Sequence, residues 1–113
     1  MRMQRLLAGG TLCAALLLGG CGDERPEPTM DFQVEQSGRG ITIEVFTTNF
    51  QVPQDGHIHI WIDDGPETMA FQNTYTIPEL SPGVHRVTVD LSDIRHNNLG
   101  LRKTKEVEVR AEP

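Results

Sequence analysis

The sequence predicts an all-β fold, a small immunoglobulin-like antiparallel β-sandwich of six or seven strands. Three observations lead there. Apolar residues recur at every second position in run after run, the period of a strand with one buried face. Turn-forming residues separate the runs at short intervals. No segment of residues 30–113 carries a helical apolar period long enough to compete.

In chain order, Phe32 and Val34 alternate with polar neighbours, and Ser37-Gly38-Arg39-Gly40 reads as the turn that follows. Ile41, Ile43 and Val45 alternate with Thr42, Glu44 and Phe46. Phe46 and Phe50 are read as core aromatics. Ile58, Ile60 and Ile62 alternate with His59 and Trp61, and Asp63-Asp64-Gly65 then has hairpin-turn chemistry. Shorter candidates lie at Thr68–Phe71 and Thr74–Ile77. After Ser81-Pro82-Gly83, Val87, Val89 and Leu91 alternate with Arg86, Thr88 and Asp90. Asn97-Asn98-Leu99-Gly100 turns the chain again, and Val107 and Val109 form the last apolar pair.

The N-terminus has a different character. Arg2 and Arg5 precede an apolar run, Leu6 to Leu18, too short to span a bilayer as a stable helix and of the length of a secretory signal. Leu18-Gly19-Gly20-Cys21 closes it. This ending resembles the lipobox of bacterial lipoproteins, which implies cleavage before Cys21 and acylation of its thiol. Several acyl chains, at roughly 0.8 kcal/mol per buried methylene, would hold the protein on a membrane. The expected organisation is a signal peptide at 1–20, a lipidated Cys21 with a charged, proline-bearing tether to residue 30, and a sandwich domain at 31–113. The expected location is the bacterial cell envelope, facing the periplasm or the cell surface; inner and outer membrane stay equally open.

Cleavage would remove Cys13 and lipidation would occupy Cys21, leaving a domain without thiols. Disulfides and thiolate metal sites are thereby excluded, so a transition metal would have to rest on His, Met, Asp or Glu. Loss of Arg2 and Arg5 leaves eight basic against sixteen acidic residues, a net charge of −8. Such a balance disfavours nucleic acid and anionic head groups as partners and favours attraction for cations. The serines at 37, 81 and 92 lack a nucleophile-elbow context, and there is no phosphate-cradling glycine loop. The domain is therefore read as non-enzymatic.

The chemistry-bearing stretch is Asp55-Gly56-His57-Ile58-His59-Ile60-Trp61-Ile62-Asp63. His57 and His59, two apart on a strand, project from the same face about 6–7 Å apart, a spacing one metal ion can bridge. Imidazole suits copper, zinc or nickel. His85 and His96 are the candidate further ligands, with Met30, Met69, Asp55 and Asp63 as other donors; a thioether attracts only cuprous ion. Parity opposes His85, which is in phase with the core row Val87-Val89-Leu91, whereas His57 and His59 are out of phase with the isoleucines. On the alternative reading the first two histidines are half-exposed residues packed on Trp61, and His85 is a rim histidine bonded to backbone. Trp61 and Asp63 would then belong to a binding face for an envelope protein partner.

Gly-His-Ile-His-Ile-Trp-Ile-Asp at 56–63, Leu-Ser-Pro-Gly-Val-His at 80–85, Arg-His-Asn-Asn-Leu-Gly at 95–100 and Val-Glu-Val at 107–109 form an ordered set. It resembles a bacterial family of small secreted Gly-His-x-His/Pro-Gly-x-His domains of unknown function. Gly56, His57, His59, Ile62 and Asp63 match the first motif, Pro82, Gly83 and His85 the second, and His96 the third. Ser81 departs from the usual proline, Ile58 from a third histidine in some members, and Asn97-Asn98 from a small residue followed by Pro. The resemblance implies an immunoglobulin-like sandwich in the envelope and assigns it no activity.

Overall fold

Seven strands and no helix make up the described residues, 26–111, of a computed structural model. The signal segment, Cys21 and the expected tether as far as residue 25 lie outside those residues. The strands are β1 (Thr29–Ser37), β2 (Gly40–Thr48), β3 (Gly56–Ile62), β4 (Thr68–Ala70), β5 (Thr74–Ile77), β6 (Gly83–Asp93) and β7 (Lys103–Val109). They pair into two antiparallel sheets, β1-β2-β5 and β4-β3-β6-β7. The architecture is the expected immunoglobulin-like sandwich, and both weak strand candidates, at 68–71 and 74–77, are real.

The period-two rows explain the packing. Phe32, Ile41, Ile43 and Val45 from one sheet face Ile58, Ile60, Val87, Val89, Leu91 and Val109 from the other, and all are buried. Burial of one such side chain stabilises by about 1.5–3 kcal/mol, so a domain this small depends on the whole set. A reciprocal amide clamp ties the sheets at one end: Gln36 Nε2 donates to the Arg110 carbonyl (3.0 Å), and the Arg110 N–H donates to Gln36 Oε1 (3.0 Å).

Two expectations about the core are corrected. Phe46 is 48% exposed, because it shares the outward parity of Thr42 and Glu44 on β2; Phe50, beyond the strand, does enter the core. The domain also begins earlier than residue 31. β1 starts at Thr29, and Met30, assigned to the tether, is buried because its alternation with Phe32 continues the inward row.

The turns follow their residues. Gly38 takes φ +60° between β1 and β2. Asp63 and Asp64 both take positive φ (53° and 62°), and the Gly65 N–H donates to the Ile62 carbonyl at 2.8 Å, so the Asp-Asp-Gly sequence forms the tight turn after β3.

Candidate metal centre on the outer face of β3

Alternation that turns the isoleucines of β3 inward turns His57, His59 and Trp61 to the opposite face, as the parity requires. That face is not open. His57 is 5% exposed and His59 8%. The register explains why, since it sets three rows side by side. On β6, Ser92 pairs with His57, Asp90 with His59 and Thr88 with Trp61. On β4, Met69 pairs with His59. Glu67 and Phe71 keep the parity of Met69, so they continue its row along the same face. The half-exposed surface expected of the two histidines is thus replaced by a second, polar layer outside the hydrophobic core.

His96 reaches this layer from the 94–102 loop. Asp93 organises the loop. Its Oδ1 accepts from the backbone N–H of Arg95 (2.8 Å) and of Asn97 (2.9 Å), its Oδ2 accepts from Asn97 Nδ2 (3.1 Å), and its carbonyl accepts from the His96 N–H (2.9 Å). These donors also hold its carboxyl below the usual range, the Asn97 backbone N–H foremost. His96 itself takes φ +67°. Asn98 folds back beside Ser92 and donates from Nδ2 to Asp90 Oδ2 (3.0 Å), closing the loop against β6.

Three imidazoles converge as a result. The Nε2 atoms of His57 and His59 are 3.0 Å apart, and one nitrogen from each of His57, His59 and His96 falls within a 4.8 Å span. Ligands on a tetrahedral ion at 2.0–2.1 Å stand about 3.3 Å from one another. The pair on β3 already meets this spacing, and the nitrogen of the exposed His96 lies within 4.8 Å of it.

The surroundings suit metal ligation. His59 Nδ1 faces Ser92 Oγ (3.3 Å) and Asp90 Oδ1 (3.5 Å). A proton on Nδ1 leaves the Nε2 lone pair pointing into the cluster. Asp90 is fully buried; its Oδ2 accepts from Asn98 and Arg102, whereas its Oδ1 has no hydrogen-bond partner. Burial, with repulsion from His59 and His96 added, pushes the His57 imidazole below its usual value, which favours the neutral form that can donate a lone pair. Glu67 Oε2 lies 3.4 Å from His59 Nε2 at the edge of the group. A cleft of about 290 Å³ opens beside it, lined by His57, His96, Met69, Phe71, Ile94 and Pro53. A wider depression, about 770 Å³, lies elsewhere, near Arg39 and Arg110, and gathers no such donor set.

The fourth histidine is not among them. His85 sits on the core-facing parity of β6, with Nε2 donating to the Ser81 carbonyl (2.7 Å) and Nδ1 to Asp63 Oδ2 (2.6 Å). Both nitrogens therefore act as donors, which raises its pKa, the Ser81 carbonyl most and the Asp63 carboxylate next. The structure does not bring it to the cluster: both ring nitrogens are engaged by Ser81 and Asp63, and it belongs to the opposite face of the sheet from His57 and His59. Asp63 is likewise committed, its Oδ1 accepting from the Arg86 N–H (2.8 Å). That bond first, and His85 second, hold its carboxyl below the usual range. Trp61 does flank the cluster, 6.0 Å from the His59 ring, but the Arg102 guanidinium lies over it at 4.6 Å. Of the other proposed donors Met30 is buried in the core, Asp55 Oδ2 accepts from the Gln51 N–H, and Met69 lines the cleft.

Asp90, Ser92, Glu67 and Phe71 are site residues that the sequence reading passed over. A signal was present for the first two: they continue the outward parity of β6 and carry oxygen atoms where a solvated face would tolerate any polar residue.

Comparison with solved structures agrees with the fold. The PKD1 domain of Vibrio anguillarum Epp is similar with a TM-score of 0.57 at 11% identity, covering 77% of this chain and 98% of that one. The PKD1 domain from the Vibrio cholerae metalloprotease PrtV is similar with a TM-score of 0.56 at 12% identity, covering 76% of this chain and 100% of that one. The fold is thus an immunoglobulin-like β-sandwich, similar to those two domains, and here it carries a histidine cluster on one outer face. No family model and no curated protein matches the chain.

Proposed function

We propose that the protein is a lipid-anchored, non-enzymatic binding module of the bacterial cell envelope that holds a copper- or zinc-type ion through His57, His59 and His96. The observation that carries this reading is the convergence of three imidazoles within 4.8 Å, two buried on the outer face of β3 and the third exposed on the 94–102 loop. Closely grouped imidazoles, two of them held in place by the strand register, are the donors such ions select. The acidic balance of the chain raises the local concentration of cations. Anchoring rests on the Leu18-Gly19-Gly20-Cys21 ending.

Equilibrium dialysis with metal analysis tests the metal. One equivalent of copper or zinc should be retained by the wild type and lost by His57→Ala/His59→Ala, with His85→Ala retaining it. Unchanged stoichiometry in the double variant would refute the site. Fractionation tests the anchor: the wild type should sediment with membranes and Cys21→Ala should not.

A second reading is a protein-interaction sandwich with no metal. The observation in its favour is the apolar rim of Met69, Phe71 and Ile94, which are 45%, 54% and 67% exposed. On that reading Phe71→Ser would abolish capture of an envelope partner while His57→Ala would leave it unaltered.

A further inference from the structure

The geometry points to Met69 as a fourth donor, which makes the centre a site for cuprous copper in preference to zinc. This inference rests on the three-histidine reading above and specifies its ion. Met69 is the direct partner of His59 across the β3–β4 ladder. Side chains of directly opposed residues leave the same face with Cβ atoms about 4.5–5.5 Å apart. The Met69 side chain therefore stands beside His59, and it lines the same cleft as His57 and His96. A methionine side chain, with three rotatable bonds, reaches across that gap without backbone movement.

Exposure separates this methionine from a packing residue. Met30 fills the core at 4% exposure, whereas Met69 is 45% exposed and packs no hydrophobic layer. A thioether set at the mouth of three imidazoles has a specific consequence for metal choice. Sulfur of this kind is a soft, neutral donor that contributes to binding Cu(I) and little to binding Zn(II). The harder donor nearby is the Glu67 carboxylate, 3.4 Å from His59 Nε2, and it is the group a divalent ion would recruit. Phe71, its ring 5.5 Å from that of His57, and Ile94 form an apolar rim on the methionine side of the cleft. An apolar rim suits a centre with neutral ligands and a single positive charge better than one that must bind a doubly charged ion.

Competition titrations decide between the two. Cu(I), held reduced with ascorbate under anaerobic conditions, is titrated against bicinchoninate, and Zn(II) against a chromophoric zinc chelator, using the chain from residue 21 with Cys21→Ser so that no thiol competes. Met69→Leu is expected to weaken Cu(I) binding about tenfold or more while leaving Zn(II) within about twofold. Glu67→Gln is expected to weaken Zn(II) and spare Cu(I). X-ray absorption of the Cu(I)-loaded wild type should show one sulfur scatterer that Met69→Leu removes. Leucine keeps the volume of this half-exposed side chain, and the sulfur signal of the wild type is independent of how the variant folds. Unchanged Cu(I) affinity in Met69→Leu, with no sulfur scatterer in the wild type, would overturn the role of Met69 while leaving the histidine site standing. Failure of the wild type to bind either ion would remove both.

Discussion

Asp90 Oδ1 lies 3.5 Å from His59 Nδ1 and makes no hydrogen bond, although the residue is wholly buried. A buried carboxylate oxygen without a donor is costly, and the imidazole beside it is the group positioned to compensate. Carboxylate and imidazole are direct neighbours across the β3–β6 ladder, so the backbone register itself builds the pair. Metal-ligating histidines commonly direct their second ring nitrogen at such a carboxylate.

Asp90→Asn keeps the shape and the contact with Arg102 but weakens the acceptor facing His59. Metal affinity should fall about 10–100-fold in that variant, with the circular dichroism spectrum unaltered. Equal affinity in wild type and variant would show that Asp90 has no part in orienting His59.

His85 and Asp63 form a pH-dependent latch between the start of β6 and the turn after β3. The pKa of His85 is raised above 6.5, so its contribution is complete below that value and disappears as the pH rises through the folded-state pKa. The pKa of Asp63 is lowered below 3.8, so its contribution is complete above that value and disappears as the pH falls through the folded-state pKa. The latch is therefore strongest between about pH 4 and 6.5. Asp63→Asn should cost about 1–2 kcal/mol in urea unfolding at pH 5.5 and clearly less at pH 8.5, after allowance for the solvent exposure of the aspartate. A destabilisation independent of pH would refute the ionic character of the contact.

Gly56 precedes the first histidine where β3 presses on β6. A methyl group there would stand 2.0 Å from the Ser92 carbonyl oxygen and 2.8 Å from Phe50 Cζ. Gly56→Ala must therefore spread the strand pair next to His57. Its urea midpoint should fall by the equivalent of about 2 kcal/mol or more, and metal affinity should drop with it. If stability and affinity were both retained, the close approach of the strands would be wrong.

Ile60, 1% exposed, belongs to the inward row of β3. Ile60→Ala should cost about 2–5 kcal/mol, a large share of what a domain of this size has to lose. Thr104→Ala on exposed β7 should change stability by less than about 0.5 kcal/mol in the same urea measurement. Similar costs at both positions would contradict the assignment of inner and outer faces.

Most of the architecture could be read from residue order, because a strand's side chains alternate by geometry and the inward row must be apolar. Ile41-Ile43-Val45, Ile58-Ile60-Ile62 and Val87-Val89-Leu91 announce their strands and their inner faces in this way. Parity also separated His57 and His59 from His85. The same rule was legible at Phe46, where an aromatic residue suggested core and its phase with Thr42 and Glu44 indicated the surface. The site was less legible. His57 and His59 were visible as a pair, yet their burial depends on β4, β6 and the 94–102 loop, which are up to several tens of residues away.

The order of amino acids thus sets which residues share a face within each strand, since that follows from local backbone geometry alone. Which strands lie side by side, and in what register, is settled by long-range pairing, and here it places Met69 and Asp90 on either side of His59. The fold of the 94–102 loop on Asp93 then chooses His96 over His85 as the third member of the cluster. A spacing of two residues can make a pair of ligands, but a third must arrive through space, and only the packed chain brings it there.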